Sequence, residues 1–531
     1  MAETIDVVIV GAGPAGAVAA KEFTDHGYRV VCLEQGDWPD YAKARSGHAD
    51  FELGARKHWN WDPNVRRGFG DYPVDDRESD ITALMYAGVG GASVIYAAHW
   101  ERFVPADFRT RMMDGVGDDW PYSYWDLEPY YTEIEQQFGI SGFGGDTSFP
   151  AAEDPPLPPV PLNKVGRRGA EAMHELGWHW WPGTNAIATR DYGPLHVCGQ
   201  RTACPFGCPT GAKGSVDRTH WRGLVAAGLE LRAGVTVEQV LTDRGRACGV
   251  VYVDESGSHH QLRANVVILA ANALGTPRIL LNSADGSGIA NSTDLVGRRL
   301  MMHPFGNAIG LFDEDMESWR GPFGQYLHSL QFYETDLSRG FVRGAKWELM
   351  PAGGPLTAML PGVWGDEPVW GPRFTSVLRE RFGRAAFWGV ICEDLPDPGN
   401  RVTISADTDA RGVPGVSISY RISANSEAMM EWNLARIGEV LEVMGARETI
   451  FNSHLRGTGW HLLGTTVMGD DPAGSVVDQW GRCHDVENLF VIDGSTFPTA
   501  SGVNPTATIA AAALRSIRHL IAQRADVRVS A

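Results

Sequence analysis

The sequence predicts an α/β domain on a mostly parallel sheet, joined to an α+β domain built on an antiparallel sheet. Three observations carry this reading. A strand, a glycine turn, a helix and a second strand open the chain at residues 5–34. Alternating stretches such as RVTISAD and VSISYRI fill the middle, roughly 311–445. A buried-type strand, NLFVIDG, and a long helix close the chain at 488–525. The length of 531 residues suits two or three domains.

Composition excludes several classes. Hydrophobic residues are 43% and charged residues 21%, so the chain can build a large core and is not disordered. The net charge of −19 makes nucleic acid and anionic membrane poor partners. No stretch approaches the roughly 18 apolar residues of a membrane span. The N-terminus, MAETIDVVIVGAG, has no basic region followed by a cleavable apolar stretch. The seven cysteines are odd in number and mostly scattered, which suits a reducing compartment. The expectation is a cytoplasmic protein.

The opening element is the most informative. IDVVIV at 5–10 reads as a buried parallel strand. Gly11-Ala12-Gly13-Pro14-Ala15-Gly16 follows at once, and AVAAKEF continues as a helix. After Gly27 a second strand ends in Glu34, 23 residues beyond Gly11. In this G-x-G-x-x-G unit Gly11 makes the tight turn, Gly13 lets backbone amides reach a pyrophosphate, and Gly16 lets helix pack on strand. The helix N-terminus offers positive partial charge to the anion. Glu34 is placed to accept from ribose hydroxyls. The motif at the extreme N-terminus, with no second complete copy, points to one tightly held FAD. Glu34 would repel the 2′-phosphate of NADP.

Gly88, Gly90 and Gly91 in GVGGAS mark a second close-approach turn. It is either a helix start with convenient glycines or a second loop against the cofactor. DPPLPPVP at 154–161 is a stiff crossing or lid segment. Cys198, Cys204 and Cys208 lack the C-x-x-C spacing of zinc sites, and no fourth ligand is evident. They read as structural thiols or one local disulfide. Residues 229–254 read as hairpin material, and NVVILAA at 265–271 as a strand feeding the helix PRILLNS. Residues 424–445 read as an amphipathic helix with Asn425 or Ser426 as N-cap and Gly445 at its end.

In this order the motifs resemble the glucose–methanol–choline (GMC) family of FAD-dependent alcohol oxidoreductases. The matching blocks are GAGPAG with Glu34, GVGGAS at 88–93, AANALGTPRILL at 270–281 and LMMHP at 300–304. EDLPDPGNRVTI at 393–404, GWHLLGTTVMG at 459–469 and LFVIDGSTFPTASGVNPTATIAA at 489–511 continue the series. The resemblance implies a Rossmann-like FAD-binding domain assembled from 1–105, 215–310 and 450–531. It implies lid and cap segments at 106–214 and a substrate domain on an antiparallel sheet at 311–449.

Carried over by position, His461 matches the family's active-site histidine and Asn504 the second active-site residue. Asp493 and Gly494 match the C-terminal FAD-contacting pair. Pro505 and Thr506 match residues beside the flavin ring, and Val237 the residue whose backbone meets the adenine. Ser93 and Ala271 fall in matching FAD-contacting blocks. The chain departs from the family at Tyr96-Ala97, where Asn-Gly is common, and at Asn272, where Gly is common. The position that carries a flavin-linking histidine in some sugar oxidases is Ile95 here, with His99 four residues later. This implies non-covalent FAD. The region around Cys198–Cys208 is similar to a bacterial branch that includes pyranose oxidases, glycoside 3-oxidases and gluconate dehydrogenases.

The chemistry expected is oxidation of a secondary ring hydroxyl of a sugar or glycoside, including C-3 of O- or C-glycosides. His461 would take the hydroxyl proton, Asn504 would hold the hydroxyl, and hydride would pass to the flavin. The electrons would go on to O2 or a quinone-type acceptor. A choline or other alcohol dehydrogenase of the same family is the alternative. The 18 tryptophans suggest stacking on sugar or aryl faces. Candidates are Trp59, Trp61, Tyr326, Trp364, Trp370 and Trp388, each of which could equally be core.

Overall fold

The computed structural model describes residues 5–43, 52–53, 58–359 and 368–523. The strand Ile5–Val10 is wholly buried and lies between Val30–Leu33 and His259–Leu269, parallel to both. Glu230–Arg232 extends the parallel set beside Val30–Leu33, and Leu489–Val491 pairs with His259–Leu269. The hairpin Thr236–Asp243 and Arg246–Val253 completes this seven-stranded sheet by antiparallel pairing. The hairpin expected over 229–254 is therefore present, but its first residues join the parallel sheet instead. The helix Pro14–Asp25 packs on this sheet and against the last helix, Thr506–Gln523. That last helix presents buried alanines, whose small side chains suit close packing of the two helices.

A second sheet is antiparallel throughout. Its strands run in the order Glu448–Asn452, Phe305–Leu311, Ala385–Cys392, Ala345–Met350, Leu327–Ser329 and Trp181–Pro182. One face carries a core of Trp347, Trp388 and the buried side of the helix Ala424–Val443. That helix is capped by Ser423, whose hydroxyl accepts from the Ser426 amide, not by Asn425 or Ser426. The stretches RVTISAD and VSISYRI do form a hairpin, Arg401–Thr408 and Pro414–Tyr420. Pro414–Tyr420 also pairs with Val74–Ser79, which makes a separate three-stranded sheet, and the hairpin does not join the antiparallel one. The hairpin's apolar residues pack instead with Leu274 and Met302.

All seven cysteines are free thiols, so Cys198, Cys204 and Cys208 form no local disulfide. Among the described residues no helix is long and apolar enough to cross a membrane.

Candidate active site

A cavity of about 800 Å³ runs between the two large sheets. At one end lie Gly11, Gly13 and Glu34, and at the other His461 and Asn504. The first end is built by backbone. The helix Pro14–Asp25 starts at Gly13 with no side chain capping its first amides, so those amides are open to an anion. Gly91 faces Gly13 with φ +53°, and a Cβ there would come within 2.8 Å of Gly13 Cα. Glu34 is buried and accepts from the amides of Ala12 at 2.8 Å and Gly36 at 3.0 Å. Burial outweighs these bonds and pushes its carboxyl up to about 7. An open helix terminus, two opposed glycines and a terminal acid fit a dinucleotide pyrophosphate and ribose.

Asp493 ties the last strand to this end. Its carboxylate accepts from the Asn272 amide at 3.0 Å and from Thr276 Oγ1 at 2.6 Å. Asn272 sits at φ +65°, the left-handed region, which asparagine tolerates better than most non-glycine residues. This accounts for Asn where glycine is common.

The other end carries side-chain chemistry. His303 Nε2 lies 3.2 Å from the Ala500 carbonyl oxygen, which can only accept. Neutral His303 therefore holds its proton on Nε2 and presents a bare Nδ1. That atom lies 2.9 Å from His461 Nδ1, which must then donate. His461 is left with a bare Nε2, which accepts from Asn504 Nδ2 at 3.3 Å. Asn504 is oriented in turn by Lys346 Nζ, which donates to Oδ1 at 2.6 Å. His461 is half-buried, with its open edge on the cavity. Burial, then the neighbouring His303, drive its pKa well below the usual histidine value. Burial likewise lowers His303 to about 4.

Behind Asn504 is a buried charge cluster. Lys346 bridges Glu101 at 2.9 Å and Glu348 at 3.1 Å, and Glu348 also meets His99 Nδ1 at 2.9 Å. Burial opposes ionisation of Glu348, but His99 and Lys346 outweigh it and hold the carboxyl at about 2. The loop before Asn504 is pinned separately. Buried Asp107 accepts from Ser501 Oγ at 2.8 Å, Tyr333 Oη at 3.0 Å and Arg343 Nη2 at 2.7 Å.

Two family models described as GMC oxidoreductase match the chain, the N-terminal one over residues 5–305 and the C-terminal one over 396–513. The chain is a GMC oxidoreductase. It is 37% identical to 2-methyl-1,2-propanediol dehydrogenase of Mycolicibacterium austroafricanum, over 99% of this chain and 97% of that one. It is 31% identical to 6'''-hydroxyparomomycin C oxidase of Streptomyces lividus, over 98% of this chain and 92% of that one. Pyridoxine 4-oxidase from Mesorbium loti shares the fold, with a TM-score of 0.67, 18% identity and coverage of 98% and 100%.

GMC oxidoreductases are FAD-binding flavoproteins acting on CH–OH groups. In this GMC oxidoreductase the cavity brings together most residues expected from sequence. Gly11, Gly13, Pro14, Ala15, Glu34, Gly91, Ser93, Val237 and Ala271 line it, as do Asp493, Gly494, Asn504, Pro505, Thr506 and His461. Ala12, Gly16, Gly88 and Gly90 stand behind the wall. Ala12 donates to Glu34, and a side chain at Gly16 would strike the Gly11 carbonyl. A Cβ at Gly90 would press on Val94 and Asp217. These four shape the wall and do not face the cavity.

Most of the aromatic candidates are elsewhere. Trp61 lines the cavity, in a wall with Phe206 and Trp460. Trp59, Tyr326 and Trp388 are core, Trp370 is 80% exposed, and Trp364 lies outside the described residues. The sequence reading missed His303, Asn307, Lys346 and Glu348. A signal was present in AKWELM, where two charges alternate along an otherwise apolar strand and so share one buried face.

Proposed function

We propose that this GMC oxidoreductase oxidises a secondary ring hydroxyl of a sugar or glycoside to the keto sugar, with non-covalently held FAD. The observation that carries the reading is the bare Nε2 of His461 beside the Asn504 amide. A hydroxyl placed between them accepts from Asn504 Nδ2 and donates to His461 Nε2. The hydroxyl proton passes to His461 while the carbon loses hydride, leaving a carbonyl. Bound FAD supplies the hydride acceptor. The base is weak, so it takes the proton only as the C–H bond breaks. The aromatic wall of Trp61, Phe206 and Trp460 supports a ring-shaped substrate. Ile95 lines the cavity with a side chain that cannot bond to a flavin, which supports non-covalent attachment. The seven free thiols suit a reducing compartment, so we place the protein in the cytoplasm.

A second reading is a small vicinal diol, favoured by the relative named for 2-methyl-1,2-propanediol at 37% identity. Anaerobic mixing with glycosides, free sugars, small diols and choline separates the two by which class bleaches the flavin. Admitting air then distinguishes O2, with fast recovery, from a quinone-type acceptor, with slow recovery. His461→Ala should lower the bleaching rate by about 10²- to 10⁴-fold while the flavin spectrum persists. Normal bleaching by that variant would refute the base. Acid precipitation should release yellow supernatant, whereas a yellow pellet would mean a covalent link.

A further inference from the structure

A buried cation behind the cavity wall has no part in the reaction proposed above. Lys213 is fully buried, and its Nζ donates to the carbonyls of Val94 at 2.6 Å, Cys204 at 2.6 Å and Tyr96 at 3.3 Å. Its three N–H donors thus meet neutral acceptors. No described carboxylate forms an ion pair with it. Asp217, the acid that bears on it, bonds Ser215 Oγ at 2.5 Å and Tyr41 Oη at 3.0 Å instead. The ammonium also lies 5.3 Å from the centre of the Tyr96 ring. A charge buried without a counter-charge is costly, and a site that gains negative charge in turnover gives it a use.

The segment that Lys213 holds locates this charge. Gly91 faces Gly13 at the glycine-lined end of the cavity. At the other end of the same segment His99 bonds Glu348, beside the Lys346 that orients Asn504. Residues 91–99 therefore run along the cavity from one end to the other, and Ile95, Tyr96 and Ala97 line it in between. Lys213 grips the back of this stretch. Because the Tyr96 carbonyl is turned towards Lys213, the planar trans peptide turns the Ala97 N–H the opposite way. No described group accepts from that N–H.

We propose that Lys213 is a fixed positive charge for the flavin, a positioning residue that makes bound FAD easier to reduce. The proposal rests on the FAD reading of the cavity. FAD with its pyrophosphate at Gly13 and its ring at His461 lies along residues 91–99. Hydride transfer brings two electrons and one proton to the ring and leaves it one negative charge that the oxidised ring lacks. The hydroxyl proton goes to His461, so Lys213 need neither give nor take one at neutral pH. A cation held still in a dry wall favours the new charge far more than one in water would, and does so without reorganising. The 96–97 peptide, oriented by Lys213, adds its positive end to the same field.

The test is the midpoint potential of the holoenzyme flavin, read by anaerobic reductive titration against a reference dye. Lys213→Met removes the charge and the donors, and Lys213→Gln removes the charge but keeps two N–H donors for the carbonyls. Both should make reduction about 10- to 100-fold less favourable, a fall of about 30–60 mV for two electrons. Lys213→Arg keeps the charge and should keep the wild-type midpoint. A wild-type midpoint in the neutral variants, or an equal fall in the arginine variant, would overturn the proposal. A second measurement needs only the wild-type protein. Burial lowers Lys213 to about 8, with Cys204, Cys208, Asp217 and Arg218 as the titratable groups bearing on it and the Tyr96 ring against it. Above that pH, reduction draws a proton back onto Lys213, so the fall of the midpoint with pH should become about twice as steep. A single slope from about pH 7 to about pH 9.5 would overturn the proposal even where the neutral variants fail to fold. If the purified wild-type protein carries no flavin absorbance, the FAD reading itself fails and the role of Lys213 falls with it.

Discussion

The Nδ1 atoms of His303 and His461 lie 2.9 Å apart, with the rings edge-on at 77°. Two imidazoles can meet in this way only if one donates and the other accepts. The Ala500 carbonyl settles which, because it obliges His303 to donate from its far side. The tautomer of His461 is thus set, through His303, by the Ala500 carbonyl.

Replacing His303 with phenylalanine removes the acceptor for His461 Nδ1–H. The ring of His461 is then free to present either nitrogen to the cavity. Flavin reduction should slow by about 10- to 100-fold, and the acid limb of the rate profile should move. An unchanged limb would separate His303 from the base.

In the wild-type protein the acid limb of kcat/KM should lie well below pH 6.5. His461 is held neutral by burial and by His303, so it stays a competent base at pH values where an exposed histidine is charged. A limb centred near 6.5 would show that the cavity is wetter than its packing indicates.

Stability should follow the same histidines. His303 titrates at about 4 when folded and near 6.5 when unfolded. Between those values the unfolded chain binds the extra proton, so stability falls as pH drops from about 6.5 towards 4 and then levels. The slope from this one group approaches 1.4 kcal/mol per pH unit. Urea unfolding at several pH values, with His303→Phe as control, measures it.

Asp107→Ala should destabilise the protein by about 3–5 kcal/mol, since it strips one carboxylate from buried Arg343. Asp114 and Glu393 remain as partners for that guanidinium, which places the loss towards the lower end. The loop from Thr499 to Asn504 also loses its anchor at Ser501, so kcat should fall with stability.

Gly91→Ala should reduce FAD content in the purified protein. The backbone is left-handed there, and the added methyl presses on Gly13 Cα, which lines the same end of the cavity. Flavin absorbance per protein, against an intact fold by circular dichroism, reports the loss.

The strand, glycine turn and helix at 5–25 were legible because their signals are short-range: β-branched run, G-x-G-x-x-G and helix period lie within one stretch. His461 and Asn504 were legible through motifs that happen to be contiguous, GWHLLG and GVNPTAT. The hairpin 401–420 was recognised as strands, yet its sheet was misplaced. Alternation reports which face is buried but not against what.

Local pattern therefore sufficed for the family, the glycine-lined end of the cavity and the pair His461 and Asn504 that meet at its wall. The folded arrangement was needed for His303, Asn307, Lys346 and Glu348. Each of these residue types is ordinary in sequence. They acquire a role through contacts across 145 to 249 positions of chain, such as Asn307 to Asn452, Lys346 to Asn504 and Glu348 to His99. Buried charges and unpaired amides are defined by what surrounds them, and that environment exists only once the two sheets close on the cavity.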